Sequence, residues 1–266
     1  MIGYLSYFKT RMVAGLQYKV AAIAGIMTQV FWGILYCFIY QAFYSNASIS
    51  DISFKDLITY VWLNQAFIAL IYINIKDVDI LTSIVDGTVA YELVRPYRLY
   101  SWWYIKLLAS KISSCLLRFL PIIILGFILP SPFNLSMPHN LLSFILFIVS
   151  LMLGTILLCG ILMIIHSLAF FTINYKGIMS ISNNIMMLFS GFIIPVPLLP
   201  DIVKKITYYM PFRLFGDLPF RIYSGNIDII TSTQDILLQL IWIVIIIIIG
   251  FSLMERALKK VFIQGG

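Results

Sequence analysis

The sequence predicts an all-α membrane protein with six transmembrane helices, an N-terminal interfacial helix, and re-entrant helices outside the membrane before the last span. Three observations carry this. Apolar residues form 61% of the chain and charged residues 11%, against about 45–50% and about 25% in soluble domains. So much apolar surface exceeds what one globular core buries, and lipid must solvate the rest. Continuous apolar runs near the roughly 20 residues that cross hydrocarbon recur along the chain. Polar or proline-marked segments separate them, and none is long enough to build a soluble core. The 266 residues therefore read as one membrane domain, 1–266.

The opening segment, 1–19, predicts an interfacial helix. At 100° per residue, Leu5, Phe8, Met12 and Leu16 share one arc, and Ser6, Thr10 and Gln17 lie opposite. Such a helix can lie flat with its apolar face in the acyl boundary. With Lys9, Arg11 and Lys19 and no small-residue cleavage site, the segment does not read as a signal peptide. The first span is expected at 20–43. A polar loop leads to a second at 57–75. A long polar stretch, 76–104, precedes a third at 105–129, which ends on Pro130-Ser131-Pro132. The fourth is expected at 141–165 and, after a short turn at 172–177, the fifth at 178–199. The sixth is the continuous run 236–254. Between the last two, 195–233 carries Pro195, Pro197, Pro200, Pro211 and Pro219 among apolar and aromatic residues. Its runs 202–210 and 213–223 are too short to span. They fit re-entrant or surface helices broken by proline, with protein covering the freed backbone groups.

Lysine and arginine set the orientation. With the N-terminus inside, the inner set is Lys9, Arg11, Lys19, Lys76, Arg95, Arg98, Lys106, Lys111, Lys176, Arg256, Lys259 and Lys260. The outer set is Lys55, Lys204, Lys205, Arg213 and Arg221. Both termini are expected in the cytoplasm of a multi-pass cell-membrane protein. The net charge of +7 then reads as loops facing anionic lipid, not as nucleic-acid binding.

Several chemistries find no support in the residues. Cys37, Cys115 and Cys159 sit in apolar runs without paired spacing, and read as small buried hydrophobes. His139 and His166 have no second ligand at metal spacing. The G-x-x-x-x-G-K-[ST] loop that cradles nucleotide phosphates does not occur, and no catalytic triad is apparent. All carboxylates are expected in loops or at span ends. Ion-coupled carriers bury acids near the midplane to bind the coupling ion, so that class loses support.

The polar residues inside spans are Arg118, in Leu117-Arg118-Phe119-Leu120-Pro121, the pair Asn64-Gln65 in the second span, and Asn183-Asn184 in the fifth. An intramembrane arginine is a functional candidate because lipid exposure is costly. Against that stands snorkelling, or capping of carbonyls freed by Pro121. For the amides, interhelical hydrogen bonding competes with ligand contact. These five residues are the candidates for a pathway or subunit interface.

The stretch 76–96 reads KDVDILTSIVDGTVAYELVRP. Ile80, Ile84 and Val85 give a short amphipathic helix that Asp86-Gly87 stops. A second piece, Tyr91-Glu92-Leu93-Val94-Arg95, ends at Pro96, and Glu92 can pair with Arg95 three residues on. A charged, broken-helix segment on the inner side is a docking surface for a soluble partner. The competing reading is a solvated loop.

Taken with their order, four stretches resemble a known family: Gln29-Val30-Phe31-Trp32-Gly33; Asp86-Gly87 followed by Tyr91-Glu92-Leu93-Val94-Arg95-Pro96; Pro219-Phe220-Arg221-Ile222-Tyr223-Ser224-Gly225; and Gln264-Gly265-Gly266. Over essentially the whole chain the sequence is similar to permeases of type-2 ATP-binding-cassette (ABC) exporters, within the bacterial subfamily of uncharacterised transport-system permeases. The resemblance implies a second permease subunit, identical or different, and two cytoplasmic ATPase subunits that bind ATP and Mg. It implies no cofactor and no catalysis in this chain. It also implies that 76–104 carries a coupling helix, through Ile80, Ile84, Val85, Asp86, Gly87, Tyr91, Glu92, Arg95 and Pro96. Substrates of the wider class include peptides, drugs, lipids and polysaccharides, and nothing here selects among them. The rival readings are an ATP-independent channel or scaffold, which needs no diagnostic chemistry, and a membrane-embedded lipid-modifying enzyme, which needs an acid, histidine or metal cluster.

Overall fold

The computed structural model describes residues 2–46, 51–73, 77–172 and 175–259. Lys76, Lys260 and the C-terminal Gln264-Gly265-Gly266 lie outside them, as do parts of the polar loop after the first expected span and of the turn at 172–177. The described chain is all-helical, and four of its helical stretches are long and apolar enough to cross a membrane: Lys19–Ser45, Leu99–Ile128, Leu141–Ala169 and Ile229–Leu258.

Helix α1 (Ile2–Leu16) packs lengthwise along the later helix that begins at Leu99. Tyr4 and Tyr7 meet Trp102 at one end, and Gly15 abuts Ser113 at the other. Its packed side is Tyr4, Tyr7, Phe8, Arg11, Met12 and Leu16, all half-buried, while Leu5 of the expected apolar arc is exposed. Phe8, Met12 and Leu16 of the expected arc therefore lie on the packed side, and Tyr4, Tyr7 and Arg11 widen it.

Helix α2 (Lys19–Asn46) covers the first expected span and α3 (Phe54–Ile71) the second. Ser53 caps α3 by accepting the Asp56 amide at 3.1 Å. The α3 helix is buried along most of its length. Lys111 donates to the carbonyl of its C-cap residue Tyr72 at 2.8 Å, satisfying one of its terminal carbonyls. Two short helices follow, α4 (Val78–Val85) and α5 (Ala90–Leu93), with Gly87 between them at φ +71°.

The third expected span begins six residues early and is broken. Helix α6 (Leu99–Leu116) ends where α7 (Phe119–Ile128) starts. Pro121 has no amide to offer the carbonyl of Leu117, and its ring crowds that carbonyl. The chain answers with a kink in which the Arg118 amide bonds Cys115 at 2.9 Å. The polar segment between the second and third expected spans therefore ends at Arg98, not at 104.

Helix α8 (Leu141–Ala169) is capped by Asn140, which accepts the Ser143 amide at 2.7 Å, and forms the centre of the bundle. Helix α9 (Tyr175–Phe189) stops ten residues short of the expected 199. Gly191 turns the chain at φ +76°, the Ser190 hydroxyl takes the Phe192 amide, and the Tyr60 hydroxyl donates to the Gly191 carbonyl at 2.8 Å.

The proline-rich region folds into α10 (Asp201–Tyr209), α11 (Phe212–Gly216) and α12 (Leu218–Ser224). The run expected at 213–223 is thus two helices that break at Asp217. Both lie buried against α8, and α12 also against α3, so protein covers their irregular backbone. The last helix, α13 (Ile229–Leu258), starts seven residues before the expected 236. Asp228 accepts the Thr231 amide at 3.1 Å, and this cap starts the helix in polar sequence ahead of the apolar run.

Candidate functional site

Segment 77–98 is folded onto the base of α6. Asp77 caps α4 through the Ile80 amide at 3.2 Å and also accepts Lys106 Nζ at 2.7 Å. Asp79 takes the same amine at 3.1 Å. Glu92 accepts the indole N–H of Trp103 at 2.8 Å, so it turns inward and not toward Arg95; Arg95 instead donates to the Tyr97 hydroxyl at 3.3 Å.

These anchors sort the residues expected to dock a partner. Ile80 is 2% exposed and faces the bundle, with Leu81 and Val89. Ile84 is half-buried. Val85, Asp86, Gly87, Tyr91, Arg95 and Pro96 are exposed. Leu93 and Val94, which were not among the expected residues, are exposed too, Val94 at 83% and Tyr91 at 74%. The outward apolar surface of the segment is therefore Val85, Tyr91, Leu93 and Val94. Glu92 contributes to holding the segment rather than to its outer face.

A second constellation lies between α2, α3 and the α6–α7 kink. One face of α2 presents Gly25, Gln29, Gly33, Tyr36 and Tyr40, each three or four residues from the next. Gly25 lies against the Arg118 guanidinium, which a Cβ there would meet at 2.8 Å. Gly33 admits Trp62 and Gln65. Tyr36 and Tyr40 line a small gap with Tyr60, Asn64 and Gln65. Asn64 and Gln65 are buried, and Arg118 is half-buried. Gln29 Oε1, Asn64 Nδ2 and Arg118 Nε are buried with no hydrogen-bond partner among the described residues. In hydrocarbon such groups are costly. Gln29 was not singled out from the sequence as a polar site residue. Its signal is its position, four residues from a glycine on either side.

The remaining pair stands apart. Asn183 is half-buried and donates to Met187 Sδ at 3.3 Å, and Asn184 is exposed. Asn184 shares its open face of α9 with Ser180, Ile181, Ile185 and Leu188. The five expected polar residues therefore form two groups.

Acidic residues correct another expectation. Asp217 and Asp235 are buried, and Asp235 lies inside α13. Each has an arginine partner: Arg213 with Asp235 at 2.6 Å and Arg221 with Asp217 at 3.4 Å. Burial pushes the Asp217 carboxyl up, and Arg221 and the Val196 amide oppose that push. Tyr208 joins the two pairs, with its ring 4.4 Å from the Arg213 guanidinium and its hydroxyl 3.1 Å from Arg221. Asp217 and Arg221 stand four residues apart on the turn that opens α12, a spacing visible in the sequence, whereas Arg213 and Asp235 come from separate helices and nothing local announces their pairing.

Finally, α3, α6, α7 and α8 enclose an apolar groove of about 580 Å³, lined by residues including Phe67, Phe119, Phe127, Phe144 and Phe147. It offers apolar contact and almost no hydrogen bonding.

The family model described as ABC-2 family transporter protein matches residues 26–265 of the chain. No curated protein matches it.

Proposed function

The chain belongs to the ABC-2 transporter family, and we propose that it is the membrane-spanning permease subunit of an ATP-driven exporter, paired with a second permease and driven by two separate ATPase subunits. Family membership makes the chain a multi-pass transport component and implies association with ABC ATPases. The observation that carries the finer reading is the form of segment 77–98. Its inner side is fastened by Lys106 and Trp103, and its outer side exposes Val85, Tyr91, Leu93 and Val94 beside Asp86 and Arg95. A segment held rigidly by one side and open on the other is suited to pass movement from a soluble subunit into the bundle. ATP and Mg belong to that partner, and this chain contributes no catalytic group.

In this reading α3 and α9 are the second and fifth of six spans, with α10, α11 and α12 as external re-entrant elements and both termini inside. At about 1.5 Å per residue, the 15 residues of α9 are short for a full crossing, and the irregular 190–195 completes it. The partnerless Gln29, Asn64 and Arg118 atoms line a pathway between α2, α3 and the α6–α7 kink, and Asn183 and Asn184 of α9 lie at an interface that the second permease closes. ATP binding shifts the ATPase pair toward its closed form, the docking segment follows, and access through the permease changes.

The test is purification of the tagged chain from its native membrane in mild detergent. Co-elution of an ABC ATPase, with ATP hydrolysis in the same fraction, is the expected result. Elution free of any such ATPase would favour the channel or scaffold reading.

A further inference from the structure

Two consecutive residues of α6, Trp102 and Trp103, hold two different elements. The Trp102 indole is sandwiched between Tyr7 of α1, at 3.6 Å and 15°, and Tyr97 of the α5–α6 linker, at 4.0 Å and 11°. Near-parallel rings at these separations are in full face contact. Tyr4 adds a tilted contact at 6.1 Å, and its hydroxyl accepts the Arg98 amide at 3.3 Å. On the α1 side, Arg11 donates to the Tyr7 hydroxyl at 3.0 Å. Successive helix residues point about 100° apart, so Trp103 looks elsewhere. It is 1% exposed, holds Glu92 of α5 at 2.8 Å, and stacks on Phe170 beyond the end of α8 at 6.1 Å.

We propose that Trp102 is a positioning residue that makes α1 and segment 88–98 move as one body, with the three-ring stack as the joint and Trp103 as the tie to the bundle. The N-terminal helix is then not a passive float on the membrane. Any displacement of the α5–α6 linker carries Tyr97, the stack carries Tyr7, and α1 follows over the length that it shares with α6. Its importance for transport rests on the reading of 77–98 as the ATPase-docking segment. The joint itself does not depend on that reading.

Three features favour a mechanical joint over ordinary packing. The stack links elements about ninety residues apart in sequence through flat faces, which resist bending. The linker has few other inward anchors, since Leu93, Val94, Arg95 and Pro96 are all exposed. And α1 is held chiefly by α6, so its alignment depends on this face.

Hydrogen exchange on the full-length protein in lipid nanodiscs tests the joint without any ATPase or substrate. Trp102→Ala should speed amide exchange about two- to tenfold in both α1 and 88–98, as the loss of an aromatic contact predicts. The central part of α8 should be unchanged, and Trp102→Phe should restore protection. Tyr7→Leu, which alters only α1, should also loosen 88–98 and so keeps the test open if the first variant fails to fold. If Tyr7→Leu or Trp102→Ala loosens α1 while 88–98 keeps wild-type protection, the joint does not exist. If both loosen together but no ATPase contacts 77–98 in crosslinking of the native complex, the joint stands and the docking reading falls.

Discussion

Arg213 grips Asp235 with both terminal guanidinium nitrogens, at 2.8 and 2.6 Å, and both residues are buried. The pair ties α11 to α13 on the flank where α11 also meets α8. Truncating one partner strands the other charge, which costs about 3–5 kcal/mol when such a pair is broken. Asp235→Ala should therefore lower thermal stability in detergent sharply. The double variant Arg213→Met with Asp235→Leu removes both charges and should recover most of the loss. A single variant as stable as the double would mean that the charges are not desolvated.

Close backbone packing gives a second prediction. A Cβ on Gly154 of α8 would lie 2.9 Å from the Phe215 Cα and 3.3 Å from Gln239 Nε2. The Gln239 amide also donates to the Ser150 and Leu214 carbonyls. Gly154→Ala must push α11 away from α8 and disturb those bonds, at about 1–3 kcal/mol. Gly177→Ala is the control. Nothing lies within 4 Å of that Cβ, so replacing a helical glycine should be neutral or slightly stabilising. Equal effects of the two substitutions on the unfolding midpoint would sink the argument.

Orientation is tested from two exposed positions. Met137 lies on the loop before α8, and Val94 on the segment after α3. The native cysteines Cys37, Cys115 and Cys159 are buried, which keeps background labelling low. In intact cells, Met137→Cys should react with an impermeant thiol reagent and Val94→Cys should react only after permeabilisation. The reverse pattern would invert the topology that the lysine and arginine count gives.

The bundle was legible because hydropathy records which residues meet lipid. The long apolar runs in α2, α8 and α13 show it, and so does the proline-marked region that became α10, α11 and α12. Helix ends were less legible because caps set them. Asp228 starts α13 seven residues before its apolar run, and Gly191 with Tyr60 ends α9 early, through a contact from another helix. The site was legible in part. Asn64, Gln65 and Arg118 stood out as polar intrusions, and they line the same interhelical region. Which side of segment 77–98 faces out was not legible, because Lys106 and Trp103 decide it from a different helix. The buried Arg213–Asp235 pair was missed for the same reason, while the Asp217–Arg221 pair, four residues apart on α12, was legible in its spacing but not in its burial.

The last prediction separates anchoring from docking within 77–98. Ile80 and Val94 are both aliphatic and lie on the same polar stretch, yet Ile80 is 2% exposed and Val94 83%. An aspartate at Ile80 would place a charge inside the bundle beside Leu81 and Val89, and should unfold α4 or deplete the protein from the membrane. Val94→Asp changes a side chain that is 83% exposed, so expression and thermal stability should stay within about 0.5 kcal/mol of wild type, as for surface positions. If the outward residues fill a groove on an ATPase, Val94→Asp and Tyr91→Ala should each weaken its co-purification, because an interface depends on a few apolar and aromatic anchors. Arg95→Glu should act mainly on association rate and salt dependence, as a rim charge does. Full ATPase retention by a stably folded Val94→Asp, Tyr91→Ala double variant would show that the soluble partner docks elsewhere. The turn between α8 and α9 would then be the next surface to test.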